Sequence, residues 1–188
     1  NEDPLNVVVG KWSDDSLIYS NVTKLKHMLI VGQSGSGKSV FMQWLINSLL
    51  TKYNDTTGNL DLKVDNTKLQ FCFIDPKRSE FGRYKRCGNL FQPVIKDVRY
   101  SGKYFDQLFE EYQRRSRILE DEMVSDLEWL NEIFEKRWEP TLPYIVVVFD
   151  EFAAFLNSKE KGWGKELKSR VIALLNEARA AGIFLWLA

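Results

Sequence analysis

The chain has 188 residues, of which 44% are hydrophobic and 28% are charged, a composition that is ordinary for a soluble globular protein. This length suits one compact domain better than two, and no apolar stretch approaches the roughly 20 residues of a membrane span. The formal net charge of zero gives no sign of nucleic-acid binding, although a basic face can exist within a neutral total.

The start of the chain is acidic and polar, unlike a secretory signal peptide. Cys72 and Cys87 form no CxxC motif, which argues against a metal site or a disulfide framework and favours a reducing cytoplasm. His27 precedes a predicted strand, where we expect a structural role. The chain has no initiator Met and stops inside a predicted strand. We therefore expect a fragment of a longer protein, which leaves room for a membrane anchor or further domains.

The N-terminal part of the chain predicts a β-hairpin, followed by a strand and a helix. The runs LNVVVG and SLIYS, separated by the polar turn KWSDD, predict the two hairpin strands within residues 5–20. The apolar run at 27–32 predicts a short buried strand, and residues 40–50 have the periodicity of an amphipathic helix. The polar segment 54–68 predicts a turn-rich surface connection.

The C-terminal part alternates apolar strands with helices. Buried strands are predicted at 69–75, 144–151 and 183–188, with a further candidate at 91–98. Helical periodicity covers 103–122, continues from Met123 to Phe134 and returns between Leu167 and Ala181. The segment NSKEKGWGK predicts a solvated loop.

Continuously apolar strands that alternate with helices are typical of a parallel sheet covered on both faces. We therefore predict a single α/β domain over residues 1–188. Within it, residues 1–26 form the N-terminal hairpin and residues 27–188 form the core.

A phosphate-binding loop is predicted between the strand at 27–32 and the helix at 40–50. Gly32, Gly37, Lys38 and Ser39 fit the pattern G-x-x-x-x-G-K-[S/T] in its strand–helix context. Its glycines let backbone N–H groups turn inward around phosphate oxygens, and the helix N-terminus adds its positive dipole end. Lys38 is suited to bridge the β- and γ-phosphates, and the Ser39 hydroxyl is suited to bind Mg²⁺. We predict that ATP contacts nine residues: Gly32, Gln33, Ser34, Gly35, Ser36, Gly37, Lys38, Ser39 and Val40.

The apolar strand predicted at 144–151 ends in two carboxylates, Asp150 and Glu151. Asp150 is placed to orient Mg²⁺ together with Ser39, and Glu151 is placed to polarise the water that attacks the γ-phosphate. The alternative is that Asp150 only caps the following helix. An apolar strand that ends in Asp-Glu is moderately specific alone, but with the phosphate loop it predicts ATP hydrolysis, with Lys38, Asp150 and Glu151 as the catalytic residues.

With both motifs in place, the chain resembles the motor domain of the FtsK/SpoIIIE family of DNA translocases. The resemblance spans nearly all of the chain from Leu5 onward. It depends on five segments: KHMLIVGQSGSGKSVFM, FIDPKRSEF, EEYQRRSRIL, PYIVVVFDEFAAFL and EARAAGIFLWLA. The first and fourth occur in many P-loop ATPases, whereas their combination with the other three is far more particular.

The resemblance implies a RecA-like P-loop fold, ATP and Mg²⁺ as cofactors, and homo-hexameric rings that move double-stranded DNA in chromosome segregation or conjugation. The polar insert at 54–68 favours a conjugation protein. In such motors a basic side chain of the neighbouring subunit completes the nucleotide site. Family members also continue into a Thr-Gln-Arg-type sensor segment after the last strand seen here, so we expect the fragment to hydrolyse ATP weakly.

Several basic residues have two interpretations at this point. Arg179 lies beside the apolar stripe of the last helix, where it reaches a neighbouring subunit or forms a surface ion pair. Arg114 and Arg115 either line a DNA channel or belong to a solvated face with pairs at i,i+4, namely Glu110–Arg114 and Glu111–Arg115. Lys77 and Arg78 follow a predicted strand end, which in open α/β sheets faces the ligand crevice.

Two other functions stay open. Type VII-like secretion ATPases of the same superfamily act on proteins, but they tend towards Asp-Phe-Lys-Gly-Gly where this chain has Asp75-Pro76-Lys77-Arg78. A nucleotide-binding scaffold that never hydrolyses ATP is the third candidate, and the presence of Glu151 argues against it.

Overall fold

The computed structural model describes residues 3–33, 35–54, 56, 59–76, 80–95, 101–152 and 165–188. Over these residues it defines eight strands and five α-helices. The strands are β1 (Asn6–Lys11), β2 (Leu17–Asn21), β3 (Met28–Leu29), β4 (Thr51–Asn54), β5 (Asn59–Leu62), β6 (Leu69–Ile74), β7 (Tyr144–Phe149) and β8 (Ile183–Leu187). The helices are α1 (Val22–Leu25), α2 (Lys38–Leu50), α3 (Ser101–Asp121), α4 (Leu127–Lys136) and α5 (Lys165–Glu177).

The core is a four-stranded parallel sheet in the order β3-β8-β7-β6. All six residues of β7 and all five of β8 are buried, as expected for strands with helices on both faces. This confirms the predicted α/β class with a mainly parallel sheet. Because every strand runs the same way, the segments that follow β3, β6, β7 and β8 all leave from one edge of the sheet.

Alternating residues of the strands face two separate apolar cores. On one face, Phe73, Val148 and Trp186 pack in a core with Leu45 and other residues of α2. On the other face, Val147 and Leu185 belong to a second core, which also contains residues of α3 and α5: Phe105, Leu108, Val171 and Leu174. Helices therefore cover both faces of the sheet, and α2, which follows the phosphate loop, is fixed by deep burial on one side.

The N-terminal hairpin is confirmed as β1 and β2, which pair antiparallel with an irregularity between Val8 and Gly10. It joins the core on the α2 side, since Leu5 and Val7 are buried in the same core as α2. The indole N–H of Trp44 in α2 also donates a hydrogen bond to the carbonyl of Val8 at 2.9 Å. The hairpin thus packs directly on the helix that carries the phosphate loop.

Two predictions about individual segments were incomplete. The strand at 27–32 is shorter than expected and not fully buried. Among the described strands β3 pairs with β8 alone, and Leu29 is 66% and Val31 82% exposed. The segment 54–68 is more than a turn-rich connection, since it contains β5, which pairs antiparallel with β4 just before it. Polar side chains in both strands conceal the alternation by which a strand is usually recognised.

The candidate strand at 91–98 is only partly formed within the described residues, which end at 95 in this region. Leu90 and Ile95 make isolated parallel bridges with Phe71 and Ile74 of β6. Met123, which the sequence places on a helix, lies in the turn between α3 and α4 and is 87% exposed. In the part of the chain that the structure describes, no helix combines the length and apolarity needed to cross a bilayer.

Candidate nucleotide site

The predicted phosphate loop adopts a turn that leads directly into α2. Gly35 and Gly37 have φ values of 80° and 90°, in the left-handed region that glycine enters at little cost. Gly37 is the N-cap of α2 and makes no side-chain capping bond, so the first amides of the helix are left available to a ligand. A helix N-terminus of this kind favours an anion such as a phosphate group.

Lys38 folds back over the loop. Its Nζ donates hydrogen bonds to the carbonyl oxygens of Gly32 at 2.8 Å and Gln33 at 3.1 Å. The ammonium group therefore lies at the loop itself, where it can transfer its hydrogen bonds from neutral carbonyls to charged phosphate oxygens. Charge-assisted bonds of that kind are roughly twice as strong as neutral ones.

Gly32 is required by close packing inside the loop. A Cβ atom at this position would lie 2.5 Å from Oγ of Ser36 and 3.5 Å from Cγ of Lys38. The loop closes on itself here, since the Ser36 amide also donates to the carbonyl of Gln33 at 3.1 Å. The first glycine of the motif thus makes space for the turn, whereas Gly35 and Gly37 supply its left-handed conformation.

Asp150 and Glu151 follow β7 at the same edge of the sheet as the phosphate loop. Only β8 lies between β3 and β7, which places the two segments about two strand spacings, roughly 10 Å, apart. Asp150 is 5% exposed, and its Oδ1 accepts the Glu151 amide at 3.1 Å. Glu151 is half-buried and has a φ of 59°, an uncommon conformation for a residue other than glycine.

Four carboxylates gather at this edge: Asp75, Glu80, Asp150 and Glu151. Burial raises the pKa of Asp150 first, and the charge of Glu151 raises it further, followed by smaller contributions from Asp75 and Glu80. The hydrogen bond from the Glu151 amide works in the opposite direction. A divalent cation would relieve this repulsion, and oxygen ligands are those that Mg²⁺ prefers. Oxygen donors of the kind that Mg²⁺ prefers are therefore present at this edge, although no three of the described acidic side chains form a metal site by themselves.

Residues that sequence reasoning missed connect these carboxylates to α2. Asp75, at the end of β6, is fully buried, and its Oδ2 accepts the amides of Glu80 at 3.0 Å and Phe81 at 2.9 Å. Glu80 in turn accepts a hydrogen bond from Nε2 of Gln43 in α2 at 2.7 Å. The sequence offered one signal, an acidic residue directly after an apolar strand, and gave no indication of Gln43.

The structure gives less information about the other predicted site residues. Gln33 and Ser36 are exposed in the loop, Ser39 is half-buried at the start of α2, and Val40 is 70% exposed. Ser34, Lys77, Arg78 and residues 157–164 of the predicted solvated loop fall outside the described residues, and the last residue of that loop, Lys165, begins α5. Within the described part of the chain, no three His, Cys, Asp or Glu side chains form a group that could hold a metal by themselves.

Arg115 has a structural role. Its side chain is 1% exposed, its Nε binds Glu111 at 2.7 Å, and its Nη1 donates to the Ala181 carbonyl at 3.0 Å. Arg114 also binds Glu111, which lies three residues before it. This ion pair replaces the expected Glu110–Arg114 pair. Burial of Arg115 excludes both a solvated face and a channel lining for this residue, because either requires an exposed guanidinium.

Arg179 lies at the opposite edge of the sheet. It lines a cavity of about 390 Å³ together with Lys26, Asp126, Tyr144, Phe184 and other residues. Nearby, Nδ1 of His27 accepts the Leu185 amide at 3.0 Å, which supports the structural role expected for this histidine. Burial lowers the pKa of His27, and the charge of Arg179 lowers it further. Because the cavity lies at the edge of the sheet opposite the phosphate loop, it is separate from that loop.

Comparison with known proteins finds similar sequences and similar folds. A DNA translocase FtsK of Lactiplantibacillus plantarum is 30% identical over 191 residues, which cover 98% of this chain and 22% of that protein. The structure of the pCW3 conjugation coupling protein TcpA with ATPγS matches 100% of this chain and 48% of its own, at 25% identity and a TM-score of 0.75.

The type VII secretion ATPase EccC of Thermomonospora curvata also shares the fold, with a TM-score of 0.75 at 19% identity over 100% of this chain and 23% of that one. The chain thus spans about a fifth to a half of the length of these three proteins. Likeness to P-loop ATPase domains confirms the predicted RecA-like fold. The sequence model of the FtsK/SpoIIIE family matches residues 1–188, and the chain therefore belongs to the FtsK/SpoIIIE family.

Proposed function

We propose that this chain is the ATP-binding and ATP-hydrolysing part of a motor that moves double-stranded DNA. The observation that carries the proposal is the position of two groups at one edge of the sheet. The left-handed turn at Gly35 and Gly37, which leads into α2 with Lys38, lies there about two strand spacings from the buried Asp150. This combination suits a nucleoside triphosphate with Mg²⁺ better than it suits any uncharged ligand.

The proposed roles follow from the side chains. Lys38 and the loop amides of residues 32–40 hold the phosphates, and Ser39 with Asp150 holds Mg²⁺. Glu151 orients the attacking water and accepts its proton. Mg²⁺, when bound, supplies charge stabilisation at the phosphoryl group. The hairpin (1–26) and the core (27–188) act as one domain in this proposal, which their shared apolar core supports.

Double-stranded DNA is the proposed cargo because the relatives with matching sequence are named for DNA translocation or conjugation. The whole protein would then act as a homo-hexamer around DNA in chromosome segregation or conjugative transfer, with its motor domain in the cytoplasm and any membrane anchor outside these residues. The likeness to EccC, at 19% identity, shows the fold alone and does not favour a protein cargo.

ATP hydrolysis in the presence and absence of duplex DNA at low salt tests the proposal. We expect DNA to raise the rate, and we expect Lys38→Ala and Glu151→Gln to lower it at least about tenfold, since removal of one positioned catalytic group typically has that effect. Stimulation by a substrate peptide with no effect of DNA would favour a secretion ATPase. A rate that Glu151→Gln leaves unchanged would contradict the role given to Glu151.

A further inference from the structure

Glu80 belongs to two hydrogen-bonded groups at once. Its backbone amide and that of Phe81 donate to Oδ2 of Asp75, at 3.0 Å and 2.9 Å. Its side-chain Oε2 accepts from Nε2 of Gln43 at 2.7 Å. Glu80 therefore joins the carboxyl end of β6 to the helix that begins in the phosphate loop.

The position of Gln43 in α2 relates its contact with Glu80 to the phosphate loop. Gln43 lies four residues after Ser39, and residues at i and i+4 share one face of a helix. Lys38 and the left-handed Gly37 begin the same helix. A ligand that binds the loop amides therefore acts on the helical turns from which Gln43 reaches Glu80.

Asp75 connects the other end of the contact to Asp150. The two aspartates follow neighbouring strands whose last residues, Ile74 and Phe149, are paired, and the Asp150 amide donates to the Ile74 carbonyl at 3.1 Å. Asp75 and Glu80 are also near enough for their charges to act on Asp150. The line from Gln43 through Glu80 to Asp75 thus ends beside the proposed magnesium ligand.

We propose that Gln43 and Glu80 are positioning residues whose hydrogen bond transmits the occupancy of the phosphate loop to the Asp75–Asp150 edge. The inference rests on the proposed function, since it requires that the loop bind a nucleotide. Bound phosphates hold the first turns of α2, Gln43 then holds Glu80, and the amides of Glu80 and Phe81 stay closed on Asp75. Without nucleotide, the Gln43–Glu80 hydrogen bond holds α2 and the segment at Glu80 and Phe81 together less firmly.

Amide hydrogen exchange at Glu80 and Phe81 measures the connection directly. The exchange rates are compared with and without ATPγS and Mg²⁺, and a fluorescent ATP analogue measures nucleotide affinity separately. In the wild-type chain we expect nucleotide to slow exchange at these amides at least about threefold. Gln43→Ala should abolish this response while its nucleotide Kd stays within about threefold of the wild-type value.

Asn47→Ala is a matched control on the same helix. Asn47 lies one turn beyond Gln43, and its Oδ1 accepts a hydrogen bond from the Tyr84 hydroxyl at 3.0 Å, so it also joins α2 to the segment after β6. If the connection is specific, Asn47→Ala keeps the exchange response. Loss of the response in both variants would mean that general packing of α2 is responsible, which would overturn the proposal.

Interchanging the Gln43 and Glu80 side chains tests the hydrogen bond between them. Gln43→Glu places two carboxylates against each other and should abolish the response. The double variant Gln43→Glu/Glu80→Gln restores a donor and an acceptor and should recover it. This pair also keeps the proposal testable if Gln43→Ala lowers stability, because folding of each variant is checked by its thermal transition.

The outcomes separate the two proposals. A wild-type chain that fails to bind the ATP analogue would contradict the proposed function, and the inference with it. A chain that binds the analogue but shows no change at Glu80 and Phe81 would overturn the inference alone, as would a double variant that fails to recover the response.

Discussion

Arg115 of α3 donates a hydrogen bond from Nη1 to the carbonyl oxygen of Ala181, immediately before β8, at 3.0 Å. The same guanidinium binds Glu111 through Nε at 2.7 Å and is 1% exposed. This residue thus fixes the turn between α5 and the strand that lies between the phosphate loop and Asp150.

Arg115→Met should therefore be strongly destabilising. It leaves the half-buried Glu111 carboxylate without one of its partners and the Ala181 carbonyl without a donor. Leaving buried polar groups without a hydrogen-bond partner in this way costs about 1–3 kcal/mol. Arg114→Met removes a guanidinium that is about half exposed and should cost less than about 1 kcal/mol. Urea unfolding of both variants measures the difference, and equal losses would contradict the structural role of Arg115.

Lys38→Ala should weaken nucleotide binding by about 10- to 100-fold, because a hydrogen bond to a charged group contributes about 1.5–3 kcal/mol. Titration with a fluorescent ATP analogue measures the change. Lys24→Ala removes an exposed lysine of α1 and serves as the control. Equal affinities of the two variants would show that Nζ of Lys38 does not reach the phosphates.

Gly32→Ala should lower nucleotide affinity by about tenfold, because its Cβ would lie 2.5 Å from Oγ of Ser36 and the loop must open to admit it. The double variant Gly32→Ala/Ser36→Ala removes that oxygen and should recover most of the affinity. The remaining contacts, to Cβ of Ser36 and Cγ of Lys38, are 3.4 Å and 3.5 Å. A double variant as weak as Gly32→Ala would mean that backbone freedom, and not space, is the requirement at this glycine.

Gly182→Ala should destabilise the fold by about 1–3 kcal/mol, because Gly182 has a φ of 70° and a Cβ there would lie 2.2 Å from Cδ2 of Leu127. For a chain of this size the melting temperature would fall by roughly 3–10 °C. Gly88→Ala, where an added Cβ has no neighbour within 4 Å, should leave it nearly unchanged. Calorimetry of both variants provides the measurement.

Asp150→Asn should stabilise the folded chain near neutral pH in the absence of Mg²⁺. Burial, and then the charge of Glu151, raise the pKa of Asp150, so its ionised form is less favourable in the folded than in the unfolded chain. The cost is absent where both states are protonated, below the unfolded pKa of about 4, and grows until the pH exceeds the raised folded pKa.

We expect a higher melting temperature for Asp150→Asn than for the wild-type chain at pH 7–8, and no difference near pH 3. Thermal melting across this pH range measures it. Asp14→Asn is the control, since its carboxylate is exposed and hydrogen bonds from Ser16 lower its pKa. A gain for Asp150→Asn that is the same at every pH would show that ionisation is not its source.

The phosphate loop and the ends of β7 and β8 follow from the sequence because their causes are local. The pattern from Gly32 to Ser39 needs only a turn of fixed length between a strand and a helix, and apolar runs such as Tyr144–Phe149 can be buried only as inner strands. The strands predicted at 144–151 and 183–188 nearly match the observed bounds of β7 and β8. The general position of Asp150 then follows from the parallel direction of the strands.

The partners of polar residues did not follow, because they depend on contacts between distant segments. Gln43 and Glu80 are 37 residues apart, and Arg115 and Ala181 are 66 apart. Nothing in the local spacing distinguishes the buried Arg115 from the exposed Arg114. The exposure of Leu29 and Val31 was missed for the same reason, since the position of a strand within a sheet is decided by its neighbours.

The cavity beside Arg179 lies at the amino ends of β7 and β8, whereas the phosphate loop lies at the carboxyl edge, about 15–20 Å away for strands of five or six residues. Asn176 is an exposed residue at the rim of that cavity. Burial raises the pKa of the Cys72 thiol to about 12, so this cysteine will not compete for a thiol-reactive dye. With Cys87 replaced by serine, a fluorophore at Asn176→Cys can observe that remote side of the sheet while an ATP analogue is added to test the proposed nucleotide site.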